Sequence, residues 1–244
     1  MDKLKIILSW VFGLLLMIIV LAFSGTSRNS KYLSEDSISI EIFSVEGQYF
    51  ITENELKREL ILELDLIDSL SLEEINIKML EESLDNHPSI RKAEVYSKLD
   101  GSLRIAVHQK QPIARVQSSS ADYYIDEIGD SMALSTNYFA SVPLINGKVN
   151  AERREKLHHF LNIIHQDSFY KDFFSGIKIL ANDEWLLYPK PGNHKIIFGK
   201  AEGIEGKLRK LKIFYLNKAS TKEEWDEIKL LNLKFEGQVI CRKH

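Results

Sequence analysis

The sequence predicts an α+β protein in which two folded units follow a transmembrane helix. Three observations carry this prediction: an uncharged apolar run near the N-terminus, later segments with strand-like or helix-like spacing of apolar residues, and a length of 244 residues. That length exceeds a typical single domain. A hydrophobic content of 44% with only 12 Gly and 5 Pro excludes collagen-like and wholly disordered chains.

The apolar run at residues 6–23 is the first predicted element. It carries no charge, and a helix of this length would extend about 27 Å, close to the ~30 Å hydrocarbon core of a bilayer. A cleaved signal peptide is the alternative, because Lys3 and Lys5 precede the run, but the run exceeds the ~7–15 residues usual for such a peptide. We therefore expect a short tail at residues 1–5, a transmembrane helix and a tether at 24–37. The residues expected to anchor the helix in the lipid bilayer are Ile6, Trp10, Leu14, Leu15, Ile18, Leu21 and Phe23.

The first folded unit, residues 38–111, is predicted to begin with a strand and two helices. Isoleucines alternate with other residues over 38–43, which is the period of a half-buried strand. Helix starts are expected at Thr52–Glu55 and Ser71–Glu74, because each has the pattern of a capping box. The residues expected on the inner side of the second helix are Leu72, Ile75, Met79 and Leu80.

Two further strands complete the first unit. Pro88 ends the second helix, because proline disfavours helical geometry in the residue before it. Residues 93–98 and 103–109 have strand-like patterns and are joined through Asp100-Gly101, a strong hairpin signal. The order is therefore strand, helix, helix, strand, strand. Two helices on one face of a three-stranded sheet would provide a sufficient small core.

The second folded unit, residues 112–244, is predicted to be a mostly antiparallel β domain with helices. Apolar residues recur at helical spacing in 151–165 and 204–216. The last segment, 228–242, reads either as two strands with Gly237 between them or as one long bulged strand. Other strands are expected at 113–117, 122–126, 142–145, 176–181, 184–189 and 194–198.

Catalytic and metal-binding patterns are incomplete in this sequence. Cys241 is the only cysteine, which excludes an internal disulfide framework and a thiolate-cluster metal site. Ser89–Lys92 and Ser175–Lys178 match the serine–lysine pattern of penicillin-binding proteins, but the Lys-Thr-Gly element of those enzymes is missing. A pI near 6.2 gives no reason to expect nucleic-acid binding. We therefore expect no catalytic residue, cofactor, metal, nucleic acid or small-molecule substrate.

Two polar clusters have simple interpretations. The histidines within residues 158–165 share a predicted helix, and we interpret them as a solvated face because no carboxylate or thiol pair completes a metal site. Asp126, Glu127 and Asp130 lie around a glycine without the regular alternation of a calcium loop. Ordinary turn chemistry is therefore the prediction for these three carboxylates.

Residues 87–116 carry a family resemblance. They read HPSIRKAEVYSKLDGSLRIAVHQKQPIARV, which resembles the passage from the POTRA domain to the β domain of the bacterial cell-division protein family FtsQ, also called DivIB. The strand–helix–helix–strand–strand order and Val45-Glu46-Gly47 are similar to a POTRA domain. The segment 232–239 looks like the closing strand of the family. The resemblance implies a POTRA domain at 38–111 and a β domain at 112–244.

The resemblance also implies a function. Members of this family are bitopic, non-enzymatic scaffolds of the divisome with a cytoplasmic N-terminus and a periplasmic body, located in the cell inner membrane at the division septum. Their implied partners are of the FtsB/DivIC and FtsL type. An alternative is another POTRA-bearing envelope protein that assists export or outer-membrane assembly. Carried over by position, the partner-binding residues are Lys234, Phe235, Gly237, Gln238 and Val239.

The implied docking segment has a physical rationale. A last strand is often an edge strand, whose unpaired backbone groups can accept another chain. Phe235 would anchor the contact, although burial of Phe235 in the core is an equal alternative because strand register cannot be read from sequence. Residues 205–244 carry ten basic and six acidic residues, a net +4, whereas residues 25–100 carry eight and seventeen, a net −9. We therefore expect an acidic partner and salt-sensitive association.

Overall fold

The structure is a computed structural model that describes residue 10 and residues 12–20, 37–45, 47–63, 75–98, 100–118, 122–218 and 221–244. Residue 10 and residues 12–20 are helical and form α1. Four predicted anchor residues fall in α1 and expose their side chains, while Ile6, Leu21 and Phe23 lie outside the described residues; the four are Trp10, Leu14, Leu15 and Ile18. Across the described ranges, no helix has both the length and the apolar character needed to cross a membrane. The transmembrane span therefore stays a prediction.

The first sheet has three strands: β1 (Ile38–Phe43), β2 (Ile90–Ser97) and β3 (Leu103–Gln109). Their order is β1-β3-β2, with β1 parallel and β2 antiparallel to β3. Helices α2 (Glu53–Glu63) and α3 (Ile77–Asp85) share one core with the sheet. That core includes Ile40, Leu56, Leu60, Leu80, Leu84, Val95 and Ile105, all buried. The predicted element order of this unit is confirmed.

Local signals explain most of these helix and turn positions. The Thr52 hydroxyl accepts a hydrogen bond from the Glu55 N–H at 3.3 Å, and the Glu55 carboxylate accepts one from the Thr52 N–H at 3.0 Å, so the first capping box is present. Gly101 turns the β2–β3 hairpin with φ +87°. The second predicted capping box, at residues 71–74, lies outside the described residues.

The start of α3 changes which of its residues face the core. Its N-cap is Asn76, whose side chain accepts a hydrogen bond from the Met79 N–H at 3.2 Å. Leu80 and Leu84 are the buried i, i+4 pair, whereas Met79 is 66% exposed. The inward direction predicted for Met79 is wrong, because its neighbour Leu80 takes the core-facing position on this turn.

The second sheet has nine strands in the order β12-β11-β10-β9-β8-β7-β4-β5-β6. Five neighbouring pairs are antiparallel and three are parallel, so the sheet is mixed. Parallel neighbours require a crossover connection, and helices supply it between β7 and β8 and between β10 and β11. The strands are β4 (Pro112–Gln117), β5 (Asp122–Asp126), β6 (Ser131–Met132), β7 (Leu144–Asn146), β8 (Phe174–Ile179), β9 (Glu184–Pro189), β10 (Lys195–Lys200), β11 (Ile228–Asn232) and β12 (Ile240–Lys243); the helices are α4 (Ala151–Gln166), α5 (Ile204–Lys218) and α6 (Lys222–Asp226).

An aromatic cluster lies between α4 and this sheet. The Phe160 ring of α4 is fully buried, and its centroid is 5.9, 5.6 and 5.5 Å from those of Phe174, Trp185 and Phe198. Such aromatic pairs add stability beyond the area that they bury. Helix α5 contributes Leu208, Leu211 and Tyr215 to the same core. The α+β class predicted from sequence is therefore confirmed, while β6 and α6 were not predicted.

The two sheets meet through polar and apolar contacts. The Asp126 carboxylate is fully buried and pairs with the Arg91 guanidinium of β2. Asp126 also accepts hydrogen bonds from the Ile128 and Asp130 N–H groups at 3.1 and 2.8 Å, the turn chemistry that was predicted. The Phe50 ring, which precedes α2, packs against Tyr124 of β5, with the two ring centroids 6.1 Å apart. The predicted domain limits, residues 111 and 112, stay predictions.

Candidate partner-binding edge

The C-terminal hairpin forms one edge of the nine-stranded sheet. Strand β11 lies between β10 and β12, and its residues Ile228 and Leu231 are buried, as is Leu233 just after it. Strand β12 pairs antiparallel with β11, from Ile228 opposite Lys243 to Asn232 opposite Ile240. In the described part of the chain, the other side of β12 faces no strand. Its backbone groups on that side can therefore pair with another chain.

The five predicted partner-binding residues lie in the connection between β11 and β12, and not in a strand. Of the two alternatives for this segment, two strands with a turn between them is correct. Gly237 has φ +66°, a left-handed conformation that glycine adopts without a steric cost, and this turns the chain back. Lys234, Phe235 and Gln238 are exposed, and Val239 is half-buried against the core. The edge strand itself begins at Ile240.

Phe235 and Lys234 have different surroundings. Phe235 is 51% exposed, so the alternative that buried it in the core is wrong. The Lys234 ammonium pairs with the Glu184 carboxylate of β9, and its hydrogen bond holds the pKa of Glu184 below the usual value. The Lys234 stem lies over Gly199, where an added Cβ would come within 2.8 Å of the Lys234 Cγ. Lys234 is therefore held against the sheet, while Phe235 is available to a partner.

Helix α5 fixes the connection through Lys210. The Lys210 ammonium donates hydrogen bonds to the carbonyl oxygens of Leu233, at 2.8 Å, and of Phe235. Desolvation lowers the pKa of Lys210, and burial likewise lowers the pKa of the neighbouring Lys207. A charged donor that binds two carbonyl oxygens of the connection restricts its motion. Phe235 is therefore presented from a defined backbone position.

The four residues of β12 are all exposed. Ile240 is 46% exposed, and the Lys243 ammonium pairs with the Glu227 carboxylate at 2.7 Å, which raises the pKa of Lys243. Cys241, the only cysteine of the chain, is also exposed. Nearby atoms still desolvate its thiol and raise the pKa of Cys241. The edge is thus apolar at its start, basic at its end, and carries a unique thiol.

The histidines His158 and His159 of α4 each lie close to an oxygen atom of a residue outside that helix. The His158 Nε2 lies 3.0 Å from the Glu127 carbonyl oxygen, and His158 is half-buried, so the prediction of a solvated histidine face is wrong at this position. His159 is exposed and lies 2.7 Å from the Glu205 carboxylate. Among the residues that the structure describes, no group of three or more His, Cys, Asp or Glu side chains could hold a metal ion.

Comparison with known proteins identifies the family. A family model described as FtsQ/DivIB, C-terminal related, matches residues 111–242, which is more than half of the 244-residue chain. The chain belongs to the FtsQ/DivIB family. A POTRA-like domain model matches residues 36–108, which include all of the three-stranded sheet except Gln109. The resemblance found in the sequence is therefore confirmed, and membership of the FtsQ/DivIB family supports a role in cell division.

A solved structure also resembles this FtsQ/DivIB chain. It is the major extracytoplasmic domain of the trans isomer of the bacterial cell division protein DivIB from Geobacillus stearothermophilus, with 11% sequence identity and a TM-score of 0.34. The match covers 46% of this chain and 97% of that chain. No curated protein matches the sequence.

Proposed function

We propose that this FtsQ/DivIB chain is a membrane-anchored, non-enzymatic scaffold of the bacterial divisome. In this proposal it links partners of the FtsB/DivIC and FtsL type at the septum, with its two sheets outside the cytoplasm. The observation that carries the proposal is the outer side of β12, which faces no strand among the described residues and lies beside the exposed Phe235. A partner strand added there would gain main-chain hydrogen bonds along Ile240–Lys243.

The C-terminal hairpin supplies the features that such a partner would need. Phe235 offers an aromatic anchor beside the edge, and aromatic residues carry a large share of binding energy at interfaces. Residues 205–244 carry a net charge of +4, from ten basic and six acidic residues, which favours an acidic partner. Higher salt should therefore slow association and weaken it.

The proposed anchor is α1 together with its flanking residues. The side chains of Leu14, Leu15 and Ile18 are about half exposed or more on α1, and Trp10 is 77% exposed. Exposed apolar side chains on consecutive helical turns favour an apolar environment such as the bilayer. Ile6, Leu21 and Phe23 would extend that apolar surface along the sequence. The N-terminus is proposed to lie in the cytoplasm.

The unique thiol of Cys241 allows a direct test of the docking edge. In membranes that contain the full chain, a cleavable photo-crosslinker would first be attached to the Cys241 thiol. Illumination would then crosslink the proteins that lie beside β12. A matched control, Cys241→Ser with Ser131→Cys, moves the thiol to β6, the opposite edge of the same sheet, where Ser131 is also exposed. We expect a small single-pass division protein to be crosslinked from β12 and not from β6. Equal yields from both edges would contradict the proposal.

A second arm of the test changes the aromatic anchor. Phe235→Asp should weaken partner capture by about tenfold or more, and cells that depend on this variant should form filaments. Phe139→Asp is the matched control, because Phe139 is 64% exposed and precedes β7, away from the terminal hairpin. Normal capture and septation with Phe235→Asp would exclude Phe235 as an anchor. An outer-membrane assembly defect without filaments would favour the alternative envelope function.

A further inference from the structure

Strand β2 is an outer strand of the first sheet, yet two of its backbone donors are already satisfied. In the described part of the chain β2 pairs with β3 alone, so one side of β2 faces no strand. The Ala93 N–H donates a hydrogen bond to the Asp85 carboxylate at 2.7 Å, and the Val95 N–H donates one to the Glu81 carboxylate at 2.8 Å. Both acceptors belong to α3, the helix that packs on this strand.

The spacing of these four residues explains why both bonds form together. Glu81 and Asp85 are i and i+4 on a helix, which separates them by about 6 Å along its axis. Ala93 and Val95 are two residues apart on a strand, which separates their N–H groups by about 6.7 Å. The Ala93 and Val95 side chains are buried in the core that includes α3, which keeps the helix close to the strand. The spacing of the two carboxylates therefore matches the spacing of the two N–H groups that point outward from the β2 edge.

We propose that Glu81 and Asp85 close the β2 edge to strand addition. An incoming strand must accept hydrogen bonds from the outward N–H groups of the edge strand, and those of Ala93 and Val95 are occupied. The carboxylates also place negative charge where the carbonyl oxygens of an incoming strand would lie, which adds repulsion. The inference goes beyond the proposed function, because it concerns β2 and does not depend on any partner at β12.

The strand that the carboxylates exclude is β2 of a second copy of this chain. Two identical edges can pair antiparallel about a twofold axis, which is the commonest symmetry of homodimers. Strand β2 is eight residues long, which is enough for such pairing. The exposed side chains of Lys92, Glu94 and Tyr96 do not block the approach of a second strand to the β2 edge. Removing both carboxylates should therefore convert a monomeric edge into a dimerising one.

The test compares two double variants of the purified full chain in detergent micelles. Glu81→Ala with Asp85→Ala removes both acceptors. Glu82→Ala with Glu94→Ala removes the same charge from the same region, where Glu82 pairs with Lys78 and Glu94 with Lys92. Sedimentation over a hundredfold range of concentration should show dimers that are about tenfold or more tighter for the first variant only. Monomers of the first variant, or equal dimerisation of both, would overturn the proposal.

Single variants keep the proposal testable if the first double variant does not fold. Amide hydrogen exchange should increase at Val95 in Glu81→Ala and at Ala93 in Asp85→Ala, each by about tenfold, because one hydrogen bond to a charged acceptor is lost. Each single variant should also dimerise more tightly than the wild-type chain. Single variants that lose the amide protection and remain as monomeric as the wild type would show that the carboxylates have only a structural role.

Discussion

Strands β2 and β12 are both outer strands, but their surroundings differ. Beside β2, the α3 carboxylates Glu81 and Asp85 accept hydrogen bonds from the edge N–H groups. Beside β12, the neighbouring connection is held from behind by Lys210, and the strand residues themselves are exposed. A helix that presents acceptors toward the edge blocks pairing, whereas a helix that holds only the adjacent loop leaves the edge free. The position of the two carboxylates of α3 relative to the edge thus separates a closed strand from an open one.

The comparison is sharpened most by Arg91, which ties β2 to the second sheet. Arg91→Ala should reduce the free energy of unfolding by about 3–5 kcal/mol, because Asp126 would remain as a buried carboxylate without its cation. Arg104→Ala is the matched control on β3, where the Glu41 partner is half exposed, and it should cost less than Arg91→Ala.

Urea denaturation of the purified chains measures both values. If the Arg91→Ala loss does not exceed the Arg104→Ala loss, the ion pair with Asp126 does not hold β2 in place. The closed edge would then depend on α3 alone. Arg91→Ala could instead cause a large loss of unfolding free energy and leave amide hydrogen exchange at Ala93 unchanged. The stability of the junction between the sheets would then be independent of the closure of the β2 edge.

The order of elements could be predicted from sequence because its signals are local. The capping box at Thr52–Glu55, the Asp100-Gly101 turn and the helical periods of α4 and α5 each lie within a few residues of the structure that they specify. Strand β6 has two residues and α6 has five, so neither is long enough to show a period. The POTRA-like order of elements could therefore be predicted from the sequence, but β6 and α6 could not.

The candidate site depended on contacts that are distant in sequence. The Lys210 ammonium reaches the connection 23 residues ahead, and Arg91 pairs with Asp126 across 35 residues. No local pattern encodes either pair, and the position of β12 at the end of the sheet follows from the order of all nine described strands. The sequence predicts a docking segment at residues 234–239 and assigns it to a strand, whereas the structure places it in a connection, because the positive φ of Gly237 is a property of the folded turn.

The β12 half of the second sheet should respond to acid through His194. His194 precedes β10, is buried, and its Nε2 lies 2.5 Å from the Tyr215 hydroxyl. Burial lowers the pKa of His194 to about 4 from an ordinary value of 6.5, although Asp226 acts in the opposite direction. The unfolded chain therefore binds a proton below pH 6.5 that the folded chain does not bind until about pH 4. Stability is fully present above pH 6.5 and falls as the pH decreases toward 4, by roughly 3 kcal/mol.

Urea denaturation at several pH values between 7.5 and 4 measures this dependence. His194→Gln keeps a polar group near Tyr215 and removes the titration, so the wild-type curve should fall more steeply than that of the variant. Parallel curves would mean that other groups, and not His194, determine the acid response. If the wild-type stability falls more steeply with acid than that of His194→Gln, acid weakens the second sheet on the side of β12.

The smallest expected effect concerns the turn that leads into β12. Gly237→Ala should reduce the free energy of unfolding by about 1 kcal/mol, because φ +66° is strained for a residue with a Cβ, even though no atom lies within 4 Å of the added carbon. Gly206→Ala is the matched control in α5, where the space is equally open and the backbone is helical, and it should stabilise the chain by about 0.5 kcal/mol. Urea denaturation gives both values, and changes of the same sign would contradict the role of the Gly237 turn. Because Gly237→Ala leaves Phe235 and β12 chemically intact, a loss of partner capture with this variant would show that the direction of the turn, and not only the free edge, determines docking.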